Sequence, residues 1–300
     1  LLSFLLLIFI LFAINKYIVK ENEKFDFLLK IDLKLILVIF FLSLFYLLIE
    51  GFNQKKIINI FSKKNENFFK CFLIINATYL FNTIFNFFGT FFRCVYLKKT
   101  YKIDIRDFVF FTLLLAILEL SIFSGITLLV NLKLKILFFD DYLFYLIFLI
   151  FIIFLSSLLF LFNFEKIKKL KIFNFLIKSN LNFISKIIEK FNNHIFFFIK
   201  LFVFQYFVLL MIYLVGFYEL REVLNFGFSS LATAITSLSF FLNFTPLSIG
   251  ITETMIYIGT KSIEIKISEI IFLAGVFRLS LLIIYFIFGI LSIFLLQKKN

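Results

Sequence analysis

A 300-residue chain with 63% hydrophobic residues and a mean hydropathy of +1.08 holds more apolar surface than a soluble core of its length can bury. That excludes an ordinary globular enzyme and predicts an integral membrane protein. The net charge of +13 does not point to nucleic acid, because the lysines fall in short blocks between apolar runs, the pattern of cytoplasmic loops facing anionic headgroups.

The chain opens on Leu1-Leu2-Ser3, and its first apolar run, to Ile14, is shorter than the roughly 20 residues a bilayer requires, so an incomplete start is expected. Full-length spans are predicted over about 33–49, 108–130, 142–162, 195–215 and 269–296. Two further apolar stretches carry polar and helix-breaking residues. Residues 68–92 hold Asn76, Asn82, Asn86 and Gly89, and residues 226–260 hold Thr233, Thr236, Asn243, Pro246, Ser248, Gly250 and Glu253. Amides and unwound backbone are costly against lipid and turn towards protein partners or water. From 163 to 194, Lys and Asn alternate with Ile, Phe and Leu, which reads equally as an amphipathic cytoplasmic linker and as a solvated connector.

Several residue types carry no special signal. The 53 Phe are explained by A/T-rich codons and by lipid-compatible bulk, and with no Trp an interfacial belt would rest on the 12 Tyr. Cys71 and Cys94 lack the spacing of a zinc or redox motif, and the single His194 reads as a headgroup neighbour, so no metal and no cofactor is expected.

The only proline, Pro246, should stop a helix near Thr245, and Gly250 should let the chain bend again. Broken helices at bilayer depth are tolerated only where protein or a wet cavity surrounds them, so function is expected here. The two odd stretches also resemble each other. Gly89 and Arg93 are followed by a span containing Glu119; Gly250 and Glu253 are followed by a span containing Arg278, with the charges exchanged at similar spacing. An intramembrane charge costs at least a few kcal/mol and normally faces a partner or a hydrated cavity. Arg93, Glu119, Glu253 and Arg278 are therefore expected to converge, with Arg93 alternatively marking a boundary beside Lys98 and Lys99.

These observations predict an all-α, polytopic helical bundle forming one membrane domain over 1–300. Its first repeat covers about 68–130 and its second about 226–296, in inverted orientation. Lysine and arginine bias supports six spans with two re-entrant hairpins and eight full spans equally; the hairpin arrangement is preferred because it inverts the repeats.

The string Pro246-x-x-x-Gly250-x-x-Glu253 followed by Gly275-Val-Phe-Arg278 resembles the flippase-like membrane region of lysylphosphatidylglycerol synthases and their stand-alone relatives. The earlier stretch, with Asn82 or Asn86, then Gly89 to Arg93, then Leu97-Lys98-Lys99, is similar to that family's first hairpin. The resemblance covers roughly residues 30 to 296. Thr90 stands where the family has Glu, and its first-hairpin proline is missing, so a carboxylate role there does not carry over. No aminoacyl-transferase domain follows the last span, which by resemblance implies a stand-alone lipid-translocation module.

The function expected is transfer of a phospholipid or lipid-linked headgroup across a prokaryotic plasma membrane. No Gly-Lys-Ser or Gly-Lys-Thr loop for ATP is present. The candidate partners are an anionic or aminoacylated phospholipid, or a polyprenyl-linked precursor. Arg93 and Arg278 would hold phosphate, Glu119 and Glu253 would hold the arginines or an amine, and Asn82, Asn86 and Asn243 would replace lost water. Alternatives are a scaffold for a lipid-modifying aminoacyl- or glycosyltransferase, and an intramembrane headgroup enzyme, for which no catalytic constellation stands out.

Overall fold

Long apolar runs almost without proline or glycine leave the backbone one way to satisfy its own polar groups in an apolar setting, which is the α-helix. The computed structural model describes residues 33–62, 65–84, 87–134, 142–163, 181–221, 224–242, 251–260 and 267–297. Among the described residues every regular element is helical: α1 (Leu33–Ser62), α2 (Phe68–Ile84), α3 (Phe88–Tyr101), α4 (Ile105–Leu134), α5 (Tyr142–Phe162), α6 (Leu181–Arg221), α7 (Phe226–Leu242), α8 (Ile251–Thr260) and α9 (Ile267–Gln297). By length and composition α1, α4, α6 and α9 can each cross a bilayer.

Large apolar side chains cover the outside of these helices, including Phe41, Phe91, Phe196 and Phe294. Such a surface is suited to hydrocarbon and not to water. Inside, phenylalanine does more than fill space: Phe111 meets Phe61, Phe191 and Phe198 at ring-centroid distances of 5.2, 6.0 and 5.8 Å, all edge-on.

Two helix boundaries differ from the expectation. The span predicted over 33–49 continues helically to Ser62 through Lys55 and Lys56. Residues 181–193, read as part of a surface linker, form the first turns of the 41-residue helix α6. At 1.5 Å per residue α6 is about 60 Å long, twice a hydrocarbon core, so its polar N-terminal turns extend beyond the apolar part as one rod. The rest of that linker, 164–180, and the opening run to Ile14 lie outside the described residues.

α2 and α3 pack against each other, and so do α7 and α8. The described parts of these helices cover 17, 14, 17 and 10 residues. The first helix of each short pair lies on the long helix that follows the other pair: α2 on α9, and α7 on α4. α1 and α6 pack on each other; α1 also lies against α2 and α9, and α6 against α7 and α4.

Small and hydroxylated residues make these crossings close. A Cβ on Gly289 of α9 would sit 2.8 Å from Leu80 Cβ and 3.1 Å from the Asn76 carbonyl oxygen of α2. Across α4 and α7, Thr127 Oγ1 donates to the Ser230 carbonyl (3.0 Å) and accepts from Tyr206 Oη of α6 (3.1 Å). Asn131 Nδ2 donates to Ser230 Oγ (3.0 Å) one turn on.

Candidate functional site: a polar cavity between the helices

The turn between α2 and α3 is built by three residues. Phe87 takes the left-handed conformation (φ 65°), which for a non-glycine residue costs roughly 1–2 kcal/mol. The Gly89 N–H, otherwise an orphan of the α3 start, donates to Asn82 Oδ1 at 2.8 Å. Gly89 itself is not the left-handed residue. It is needed because a Cβ there would lie 1.7 Å from the Thr78 carbonyl oxygen, so only glycine lets α3 pass so near α2. Gly89, expected at the break, serves the close approach, while the left-handed backbone is that of Phe87.

This turn sets α3 beside a cavity of about 490 Å³ whose walls come from both halves of the chain. Helix periodicity supplies its polar lining. α1 contributes Tyr46, Glu50, Asn53 and Gln54, which share one helical face; α3 contributes Thr90 and Arg93, one turn apart; α4 contributes Thr112 and Glu119, two turns apart. Thr78, Tyr79 and Asn82 of α2, Ser237 of α7 and Tyr285 of α9 complete it. The charged lining residues among those described are Glu50, Arg93 and Glu119.

Neutral donors hold the two carboxylates. Gln205 Nε2 of α6 donates to Glu50 Oε1 at 2.7 Å, and Ser237 Oγ donates to Glu119 Oε1 at 3.1 Å. Arg93 lies with Cζ 5.0 Å from the centre of the Phe108 ring, and its Nε is buried without a hydrogen-bond partner. Other polar atoms in or beside the lining also lack protein partners: Asn53 Oδ1, both amide atoms of Gln54, and Oε1 of Gln205, which reaches Glu50 from behind the lining. Gln54 is 1% exposed and Gln205 fully buried. Buried amides in this condition require water or a ligand, and the cavity has room for several waters at about 30 Å³ each.

One side of the cavity is apolar and open. Phe87, Val109 and Leu113 line it, yet they are 59%, 48% and 46% exposed. The mouth therefore faces outward between the start of α3 and the first half of α4, while the polar groups lie deeper.

The expected meeting of four charges divides into two places. Arg93 and Glu119 share the cavity, and Asn82 lines it while capping α3. Glu253 and Arg278 bond to each other instead, 6% and 5% exposed, and they are not among the cavity-lining residues. Glu253 sits in the first turn of α8, where the helix dipole favours a carboxylate, and a buried ion pair of this kind joins α8 to α9. Asn86, Asn243, Pro246 and Gly250 lie outside the described residues.

Glu50, Asn53, Gln54, Gln205 and Ser237 escaped the sequence reading. A signal existed: Glu50, Asn53 and Gln54 fall at i, i+3 and i+4, one polar stripe on a helix. The stripe lies just past the end of the span expected over 33–49, next to Lys55 and Lys56. Compared with known proteins, the chain matches no protein-family model, no curated protein and no solved structure.

Proposed function

We propose that this chain is a multi-pass protein of the cell membrane that moves a phospholipid or lipid-linked headgroup between leaflets, without an ATPase of its own. The observation that carries the reading is the cavity's two-sided chemistry. A floor of Glu50, Arg93, Glu119 and buried amides suits a headgroup, and a mouth of exposed Phe87, Val109 and Leu113 suits acyl chains that stay outside. A headgroup phosphate would accept from the Arg93 guanidinium, whose Nε is buried without a partner, and from the Gln54 Nε2 in place of its lost water.

The packing pattern supports a repeat. α1 to α4 and α6 to α9 have matching neighbours, with each short helix pair followed by a long helix that packs on the first helix of the other pair. On this reading the two units are inverted repeats, and the short pairs are re-entrant hairpins that keep broken backbone inside protein. Membership of the lysylphosphatidylglycerol synthase membrane-region family remains part of the same proposal, resting on the Gly250, Glu253 and Arg278 pattern. So does the identity of its partners: an anionic or aminoacylated phospholipid or a polyprenyl-linked precursor, with a lipid-modifying enzyme alongside.

Transfer of a headgroup-labelled phospholipid between leaflets of vesicles containing only the purified chain tests it. Wild-type protein should exceed empty vesicles clearly. Leu113→Trp, which narrows the mouth without touching the polar floor, and Arg93→Gln should each slow transfer by about tenfold or more, equivalent to about 1.4 kcal/mol. Wild-type vesicles no faster than empty ones would end the proposal.

A further inference from the structure

The cavity's charges do not balance, and that imbalance extends the reading above from what is moved to what drives it. The titratable groups lining it are Tyr46 and Glu50 from α1, Tyr79 from α2, Arg93 from α3, Glu119 from α4 and Tyr285 from α9. The α6 and α7 groups that touch the carboxylates, Gln205 and Ser237, are neutral donors. With the phenols neutral, two carboxylates and one guanidinium leave a single excess negative charge.

We propose that Glu50 and Glu119 hold one exchangeable proton between them and that lipid transfer is coupled to its movement; this rests on the carrier reading. Adding one proton converts one carboxylate to a carboxyl group, leaves one carboxylate opposite Arg93, and brings the lining to neutrality. Releasing it restores the excess charge. A net charge enclosed in an apolar surrounding is costly, so the neutral form closes readily and the charged form favours an open, hydrated cavity. Proton binding on one side and release on the other would thereby bias opening and closing.

A second observation is independent of the acids. Gln54 is 1% exposed, lines the same cavity, and has neither its Nε2 nor its Oε1 partnered; Asn53 Oδ1 and Gln205 Oε1 are in the same state. These are the groups that would hold the waters through which a proton reaches the carboxylates. Each carboxylate already has one oxygen bonded to a neutral donor, and among the described residues no group of three His, Cys, Asp or Glu side chains gathers for a metal.

The experiment uses the full chain in vesicles containing a headgroup-labelled phospholipid, under an imposed pH gradient, an imposed sodium gradient, or neither. The expected result is transfer accelerated about fivefold or more by the pH gradient, no response to sodium, and loss of the acceleration in Glu50→Gln and Glu119→Gln. A second readout needs no transport. In infrared difference spectra taken as pH is stepped, the wild type should show a protonated-carboxyl band that is missing from both glutamine variants. Transfer that proceeds equally under all three conditions overturns the coupling and leaves the carrier standing. Acceleration by sodium instead of protons also overturns it. If no condition supports transfer, the carrier reading falls, and absence of the carboxyl band overturns the proton site as well.

Discussion

Gly89→Ala offers a test whose size can be worked from the coordinates. The new methyl would lie 1.7 Å from the Thr78 carbonyl oxygen and 2.8 Å from Asn82 Oδ1, whereas Cβ contacts below 3.0 Å are essentially never seen. Thr78 O is backbone within α2 and cannot rotate away, so α3 must retreat by about 1.3 Å, the gap between 1.7 and 3.0 Å. That movement breaks the 2.8 Å bond from the Gly89 N–H to Asn82, which contributes about 1 kcal/mol, and adds an overpacking strain of about 1–3 kcal/mol. The sum, about 2–4 kcal/mol, is a large part of the 5–15 kcal/mol typical of folded proteins. Because Arg93 rides on the same helix one turn along, lipid transfer should fall as well. Denaturant titration of the purified protein in detergent measures the stability term, with Phe91→Ala, an exposed α3 site, as a control staying within about 0.5 kcal/mol of wild type. A Gly89→Ala protein as stable as that control would refute the close-approach account of the turn.

Breaking the buried pair with Glu253→Gln or Arg278→Ala should cost about 3–5 kcal/mol, and the double variant Glu253→Leu with Arg278→Met should lie closer to wild type than either, as thermal unfolding in detergent would register. Thr127→Val removes two bonds between helices and, at about 0.6 kcal/mol for each bond in an apolar medium, should lower stability by about 1 kcal/mol in the same assay; a loss above 3 kcal/mol would show that the cluster acts as more than two bonds. Phe87→Gly should stabilise the fold by about 1 kcal/mol by relieving its left-handed backbone, because its ring is largely exposed; a loss of stability would mean that the ring packs in a way that outweighs the strain.

What could be read from the residues themselves was governed by local rules. Apolar length predicted the helices containing 108–130, 142–162 and 269–296, because an apolar backbone of that length has no alternative to helix. The polar character of 68–92 set that stretch apart from the plain spans; Asn82, Arg93 and Glu119, costly against lipid, line the cavity, and Gly89, expected as a break, lies at the turn beside it. Local rules end where partners come from far along the chain. Nothing near Glu50 announces that Gln205, 155 positions away, will donate to it, or that Ser237 will reach Glu119 across 118 positions. The close match in spacing between Arg93 with Glu119 and Glu253 with Arg278 suggested one shared pocket. Helix packing instead closed one pair as a buried ion bond and left the other facing an open cavity beside Glu50. A charge in apolar sequence must find something, which the sequence alone determines; whether it finds an opposite charge, an amide or water depends on which helix faces it, and only the tertiary packing decides that.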